Sequence, residues 1–157
     1  PATKEKSPNP SIRCRPMETA GVYEFETAEA ARAAYADAGP AAQQVVKETA
    51  KAMAFDNAEY DQRVTGAVIE TARDALFASL LITYDGSRTE FDEWCDDNPD
   101  YSVDLAGSES VESVVWHPVG FAETVVAASY QAEPEAAAAT VRRRAFGRHY
   151  RTAVDDS

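Results

Sequence analysis

The order of apolar and polar positions divides the chain into helices and short strands. Residues 22–25 alternate apolar and acidic side chains and predict a strand. Thr27 is placed to cap an alanine-rich helix that ends near Ala38, and Gly39-Pro40 predicts a sharp turn into a second helix. One apolar stripe of this second helix recurs at helical spacing and consists of Ala42, Val45, Val46, Thr49, Ala52 and Met53.

The remaining pattern predicts further helices around two short strands. Apolar positions over residues 68–82 follow the i, i+3, i+4 rule and predict a central, buried helix; its stripe is Val68, Ile69, Ala72, Leu76 and Leu80. A short acidic helix is predicted over residues 89–97. Two strands, near residues 101–105 and 113–117, are predicted to form a hairpin, with His117-Pro118 breaking the second. Helices over about residues 122–130 and 134–153 complete the prediction.

This element count predicts an α+β fold, a mainly helical single domain with a small antiparallel sheet. We place the globular domain at residues 21–154, between a disordered basic tail at 1–20 and disordered residues 155–157. Residues 1–16 contain four prolines and four basic side chains against one acidic one, and have little to bury. There is no internal repeat and no glycine-rich phosphate loop.

The composition predicts an environment rather than an activity. The 157 residues contain 27 acidic and 15 basic side chains, for a net charge of −12, with only four lysines and thirty alanines. Repulsion within such a surface is largely screened when the Debye length falls to about 3 Å at 1 M salt. The composition therefore favours a cytoplasmic protein of a salt-in halophile; the alternative is an ordinary acidic protein from a high-GC organism.

Several site classes find no support in the sequence. No run of 18 apolar residues and no hydrophobic signal core is present, so a soluble, intracellular protein is expected. Cys14 and Cys95 form no CxxC pair and predict neither a disulfide framework nor a zinc site. The acidic cluster near residues 92–100 lacks the alternate ligands and the glycine of a calcium loop. No cofactor and no metal is predicted.

The sharpest local feature is the basic C-terminal helix. Residues 142–151 contain five arginines, whereas residues 17–141 contain six basic side chains against 24 acidic ones. Arg144, Arg148 and Arg151 follow at i, i+4 and i+7 and fall on one stripe. Such a stripe can bind the phosphates or carboxylates of a partner protein or nucleic acid. Alternatively, the arginines favour the helix dipole and pair with the chain's own acidic side chains.

Three further basic side chains lie on otherwise apolar faces. Arg142 and His149 lie seven residues apart on the apolar arc of the C-terminal helix, and Arg73 lies between Ile69 and Phe77 on the predicted central helix. A buried charge requires a partner, since an unpaired one costs several kcal/mol. Each is therefore either in a structural ion pair, as with a carboxylate such as Glu70, or part of an anion pocket formed by Arg73, Arg142 and His149.

His117, at a predicted strand end, is a candidate general base that could add to this pocket. The sequence offers it no mechanism, because no serine lies in a GxSxG context and the two histidines fit no HExxH or HxH spacing. A satisfied structural histidine is the alternative.

Four segments together resemble a known protein family. The GPAAQ link, ETARDALFASLL, the pair Trp116-His117 and RRRAFGRHYR are similar to an uncharacterised family of small haloarchaeal proteins that carries only a domain-of-unknown-function label. The resemblance covers residues 17–151. It supports the salt-in interpretation and implies no activity and no site.

Two functions are consistent with these features. The first is a non-enzymatic binding module that contacts a protein or nucleic acid through the arginine helix. Such a module can also form a homo-oligomer. The second is a small enzyme or ligand sensor with the anion pocket. A deep concave site with converging polar groups favours the second, and arginines on a convex surface favour the first. A membrane is not an expected partner.

Overall fold

The computed structural model describes residues 17–155, which form a five-stranded sheet with helices on both faces. The helices are α1 (Ala28–Ala52), α2 (Asn57–Arg63), α3 (Gly66–Ser79), α4 (Arg88–Asp97), α5 (Pro134–Ala145) and α6 (Arg151–Asp155), and a π-helical turn (Phe146–Tyr150) joins the last two. The strands are β1 (Glu18–Ala20), β2 (Thr83–Ser87), β3 (Ser102–Ala106), β4 (Ser113–Val119) and β5 (Thr124–Tyr130). The α+β class predicted from the sequence is confirmed.

The sheet has the order β1-β2-β4-β5-β3 and is mixed rather than purely antiparallel. β3 does not form a hairpin with β4; it pairs in parallel with β5, from Ser102 opposite Thr124 to Ala106 opposite Ala128. The predicted hairpin is therefore wrong. The reason is that β5 occupies the place beside β4 that the prediction gave to β3.

The helix predicted over residues 122–130 is also wrong, because this segment forms β5. Val126 and Ala128 pack into the core on one face of the sheet, while Val125 and Ala127 pack into the core on the other. A strand that is buried on both faces lacks the apolar and polar alternation that marks a strand in sequence. The alanine-rich sequence of this segment therefore predicted a helix, and its pairing with β3 and β4 makes it a strand.

β4 continues through His117-Pro118, where a break was predicted. Its pairing with β2 ends at the pair Tyr84 and Trp116, whereas its pairing with β5 continues to Val119. Pro118 therefore lies where β4 has a paired strand on one side only. A proline, which lacks an N–H donor, is tolerated at such a position.

The N-terminal strand lies earlier than predicted. β1 is formed by Glu18–Ala20, within the range assigned to the tail, and residues 22–25 form no strand beyond one bridge between Tyr23 and Leu81. The alternation was misleading because Phe25 is anchored in the core by aromatic contacts rather than by a strand ladder. The rest of the predicted tail, residues 1–16, and the end of the chain after residue 155 lie outside the described residues.

α1 is one helix of 25 residues that passes through Gly39-Pro40 without the predicted turn. The residue before a proline is normally kept out of the helical region, because the proline Cδ clashes with that residue's N–H and Cβ, and Gly39 has no Cβ. Gly39 is also buried, and a Cβ there would lie 2.4 Å from Arg73 Nη2 of α3. Packing against α3 thus holds α1 continuous where local sequence signals indicated an end.

α3 is less buried than its apolar stripe predicted. Phe77 is its one buried side chain among the described residues, and Val68 is 40% exposed. The prediction of a central, buried helix is wrong, since the deepest part of the molecule lies between the sheet and the segment from α5 to α6. Val141, Ala145 and Tyr150 are fully buried there.

The two faces of the sheet have separate cores. One core contains Tyr35, Phe77, Leu81 and Tyr150 together with the inward side chains of β4 and β5. The second is smaller and centres on Trp116 against Phe91 of α4, with ring centroids 5.3 Å apart. α4 matches its predicted extent within one residue, and within residues 17–155 no helix is long and apolar enough to cross a membrane.

Candidate functional site

The three arginines of the predicted partner-binding stripe are paired with the chain's own carboxylates. Arg144 Nε lies 3.1 Å from one oxygen of Asp104, and Arg148 Nη1 lies 2.8 Å from the other. Arg151 Nη1 lies 3.3 Å from Asp74 Oδ2, with its guanidinium 5.0 Å from the centre of the Phe146 ring. Asp104 is on the edge strand β3, so the first two salt bridges attach the C-terminal segment to that edge, whereas Asp74 lies on α3.

His117 is fully buried and both of its ring nitrogens are hydrogen-bonded. Nδ1 lies 2.6 Å from the carbonyl oxygen of Ile82, which can only accept, so Nδ1 donates. Nε2 lies 2.7 Å from the hydroxyl of Tyr150 and therefore accepts from it. Burial lowers the pKa of His117 to about 4 and raises that of Tyr150. His117 is thus a satisfied neutral histidine with no free nitrogen for a substrate.

The predicted anion pocket does not form as one cavity. Arg73 stacks on the ring of Tyr35 at 4.7 Å and lines a cleft between α1 and α3, with Gly39 and Glu70. Arg142 lines a different cleft, beside β1. His149 has a buried Nε2 without a hydrogen-bond partner in the described part of the chain, and burial lowers its pKa. Neither cleft is lined by His117 or His149.

Arg142 lines its cleft and is held there by main-chain carbonyls. Its Nε donates to Leu81 O at 2.9 Å and its Nη2 to Ala20 O at 3.4 Å. Gly21, with φ +96°, makes this approach possible, because a Cβ there would lie 2.5 Å from Leu81 O and 3.0 Å from Arg142 Nη2. Within residues 17–155, Arg142 forms no salt bridge.

We call this cavity, of about 500 Å³, the α5–β1 cleft. α5 packs on β2, β4 and β5, and among the described residues the cleft lies between this helix and β1. Cross-strand register places Glu18 opposite Asp85, and Asp85 opposite Val115, so these three side chains form one row across the sheet. Pro134, Glu135 and Ala138 of α5 form the opposite wall. A cavity of this volume is typical of sites for small molecules.

The charges of the cleft have both signs. Glu18, Asp85 and Glu135 supply three carboxylates, and Arg142 supplies one guanidinium. Asp85 accepts a hydrogen bond of 2.5 Å from Tyr130 and is not free. No group of three or more His, Cys, Asp and Glu side chains among the described residues is arranged to hold a metal ion. The cleft can therefore bind polar organic groups, with Arg142 as the donor for an anionic one.

Cys95 lies in another groove, of about 620 Å³, between α4 and β3. Burial, with the nearby charges of Asp92 and Asp96, raises the pKa of the Cys95 thiol and makes it a poor nucleophile. The acidic side chains of the cluster near residues 92–100 are exposed. Cys14 lies outside the described residues.

The sequence identified Arg142 but missed the other walls of the cleft. Glu135, Ala138 and Arg142 follow at i, i+3 and i+7 and share one face of α5, a spacing that was readable in the sequence. Glu18 and Asp85 could not be found in this way, because they are neighbours only through the register of β1 and β2. Tyr150, the partner of His117, and Asp104 and Asp74, the partners of the arginine stripe, were missed because they lie far from these residues in the sequence.

Comparison with known proteins identifies a family and no function. A family model described as a family of unknown function, DUF5809, matches residues 22–151, which span nearly all of the described chain. No curated protein and no solved structure matches the chain. The chain therefore belongs to the DUF5809 family of unknown function.

Proposed function

We propose that this protein is a binding module that receives the anionic group of a small molecule on Arg142 in the α5–β1 cleft. One observation carries the proposal: a half-buried guanidinium lines a cavity of about 500 Å³ with main-chain carbonyls, and no carboxylate, as its partners in the described part of the chain. Burial lowers the pKa of Arg142, yet an arginine keeps its charge at neutral pH. A partly desolvated cation of this kind gains most from an anionic ligand.

The arginine stripe is not part of this proposal. Arg144, Arg148 and Arg151 have salt-bridge partners in the chain, which explain the stripe without a partner molecule. Catalysis is not proposed either, because both nitrogens of His117 are occupied in the core. The proposal keeps the ligand sensor that the sequence analysis gave as its second function, but of the predicted pocket residues it uses Arg142 alone.

The proposal also includes the salt concentration at which the protein works. The net charge of −12 and the four lysines support a cytoplasmic protein that works at high salt. At high salt an exposed ion pair is screened, whereas an ion pair in a partly enclosed cleft is screened less. A half-buried arginine is therefore better suited than a surface arginine to bind an anion in such a cytoplasm.

Titration with butanoate and with inorganic phosphate, followed by backbone amide NMR at constant ionic strength, tests this function. We expect saturable shifts of the amides of Ala20, Gly21 and Ile82 with at least one of the two anions. Arg142→Met should weaken binding at least tenfold. Ala138→Phe keeps Arg142 but fills the cleft, and should block binding even if Arg142→Met unfolds. Wild-type affinity in Ala138→Phe, or no saturable shift with either anion, would overturn the proposal.

A further inference from the structure

We infer that the cleft between α1 and α3 is a separate binding site, in which Arg73 binds the phosphate group of a small molecule. The cleft has a volume of about 400 Å³. Its lining consists of Gly39, Gln43, Gly66, Ile69, Glu70 and Arg73. It shares no residue with the α5–β1 cleft, so this inference does not rest on the function proposed for Arg142.

Packing fixes the guanidinium of Arg73 in this cleft. Tyr35 and Gly39 lie four residues apart on α1 and therefore share one face of that helix. The Cζ atom of Arg73 lies 4.7 Å from the centre of the Tyr35 ring, and a Cβ at Gly39 would lie 2.4 Å from Nη2. Glycine thus leaves the room that the guanidinium occupies. Because the side chain is already held in one place, little conformational entropy is lost when a ligand binds to it.

The charge of Arg73 has no carboxylate partner in the described part of the chain. Asp74, the next residue, uses both oxygens elsewhere: Oδ1 accepts from the Tyr35 hydroxyl at 2.5 Å, and Oδ2 lies 3.3 Å from Arg151 Nη1. Glu70 lines the same cleft but forms no salt bridge with Arg73. The Nε of Arg73 is buried without a hydrogen-bond partner. A half-buried guanidinium in this state is stabilised by an oxyanion, which accepts hydrogen bonds from it.

The start of α3 adds uncharged donors to the same cleft. Thr65 caps this helix of 14 residues and accepts from Val68 N at 3.3 Å. The preceding N–H groups, of Gly66 and Ala67, have no intrahelical acceptor. Gly66 lines the cleft, and the helix dipole favours negative charge near these N–H groups. Gln43 of α1 also lines the cleft and has a side-chain amide that can donate.

These donors favour a phosphate over a carboxylate. A carboxylate has two oxygens in one plane, and a guanidinium alone can donate to both. A phosphate monoester has three free oxygens and carries about −1.5 to −2 at pH 7. Arg73, Gln43 and the start of α3 belong to different parts of the wall and supply donors for the additional oxygen and charge.

Titration of the wild-type chain with inorganic phosphate and with acetate, followed by amide NMR at pH 7.5 and constant ionic strength, tests this site. We expect saturable shifts of the Gly66 and Ala67 amides, and phosphate should bind at least tenfold more tightly than acetate. Arg73→Met should weaken phosphate binding at these amides at least tenfold, and leave the response of the α5–β1 cleft unchanged.

The carboxylate of the cleft provides a test by charge. Glu70 is exposed and opposes an anion bound beside Arg73, so Glu70→Gln should tighten phosphate binding at least threefold. Glu93→Gln is the matched control, because it removes the same charge from an exposed position on α4 and should leave the affinity unchanged. Equal phosphate affinities of these two variants would contradict the placement of the anion in this cleft.

Gly66→Pro and Gly66→Ala form a matched pair that keeps Arg73. Gly66 is the first residue of α3, where proline is tolerated, and Thr65 before it is already extended. A Cβ at Gly66 would meet no atom within 4 Å. Proline removes the N–H of this residue and alanine keeps it. Phosphate should therefore bind at least threefold more weakly to Gly66→Pro than to Gly66→Ala, as measured at the Ala67 amide.

Three results would overturn the phosphate site: no saturable shift at Gly66 and Ala67, acetate binding as tightly as phosphate, or wild-type phosphate affinity in Arg73→Met. If Arg73→Met does not fold, equal phosphate affinities of Gly66→Pro and Gly66→Ala would overturn it instead. Each of these results leaves the function proposed for Arg142 standing, because that function is measured at the amides of the α5–β1 cleft.

Discussion

His117 is fully buried and Arg142 is half-buried, and their hydrogen bonds explain why each is tolerated there. His117 donates to a main-chain carbonyl and accepts from Tyr150, which uses both ring nitrogens in the neutral state. Arg142 uses part of its donor set on two carbonyls. A guanidinium has five N–H groups, so it retains donors for a ligand. These hydrogen bonds give His117 a structural role and leave donors of Arg142 for the ligand proposed above.

The neutral state of His117 makes stability depend on pH. Its pKa is about 4 in the folded chain against 6.5 as the ordinary value, so between these values the unfolded chain binds more protons. The stability that the neutral ring of His117 contributes is fully present above pH 6.5 and is lost as pH falls from 6.5 towards 4. Between pH 7.5 and pH 5 we expect the free energy of unfolding to fall by about 2 kcal/mol, measured by urea denaturation at fixed KCl.

His117→Gln removes the titrating group and should flatten this part of the pH dependence. If that variant does not fold, the imidazole C–H signals of the wild-type chain give the same information, because His117 should stay neutral well below pH 6. A His117 signal that titrates near pH 6.5 in the folded chain would contradict the assignment of a buried neutral ring.

Among the elements, α1 shows that tertiary packing can override local sequence signals that normally end a helix. Thr27 caps it as predicted, with its side chain accepting from Ala30 N at 3.1 Å. Gly39-Pro40 does not end it, although a proline in a helix interior removes the hydrogen bond from residue i to the carbonyl of residue i−4. Its contacts with α3, including Arg73 against Gly39, compensate for that loss.

The cost of the interior proline can be measured. Pro40→Ala restores a donor for the carbonyl of Ala36 and should raise the free energy of unfolding by about 1 to 3 kcal/mol. The larger conformational entropy of the unfolded chain without this proline reduces the gain. Pro134→Ala is the matched control, because Pro134 stands at the first turn of α5, where its missing N–H is no loss. Its effect should stay within about 0.5 kcal/mol. Equal effects of the two substitutions in denaturant unfolding would show that the interior position carries no penalty.

Across the whole molecule, charge is distributed unevenly in sequence but is partly balanced in space. The basic C-terminal helix lies against Asp104 and Asp74, so five arginines within ten residues do not leave a uniformly cationic surface. Four acidic side chains of α4 are exposed and have no such counterpart among the salt bridges of the described residues: Asp92, Glu93, Asp96 and Asp97. Repulsion within the molecule should therefore be strongest around α4.

Salt should stabilise this chain by screening that repulsion. From 0.1 M to 2 M KCl we expect the midpoint of thermal unfolding, followed by circular dichroism, to rise by roughly 5 °C or more, equivalent to one or two kcal/mol. Asp92→Asn/Glu93→Gln/Asp96→Asn/Asp97→Asn should show a shallower rise. A fully cooperative fold without added salt, with a midpoint that KCl does not move, would count against the high-salt setting.

The sequence by itself determined what depends on residues three or four positions apart. The cap at Thr27, the start of α5 at Pro134, the extent of α4 and the α+β class were all readable, because capping and helix periodicity are local interactions. Arg142 was readable as an unusual charge on an apolar face, but the cleft that it lines was not.

Only the tertiary structure decided which distant groups meet. β5 is a strand because β3 and β4 flank it, and α1 is continuous because α3 packs on it. The arginine stripe has Asp104 and Asp74 as partners, and the α5–β1 cleft joins side chains from β1, β2, β4 and α5. In each case the deciding interaction is between segments far apart in the chain, whose register and packing depend on the whole core rather than on any local pattern.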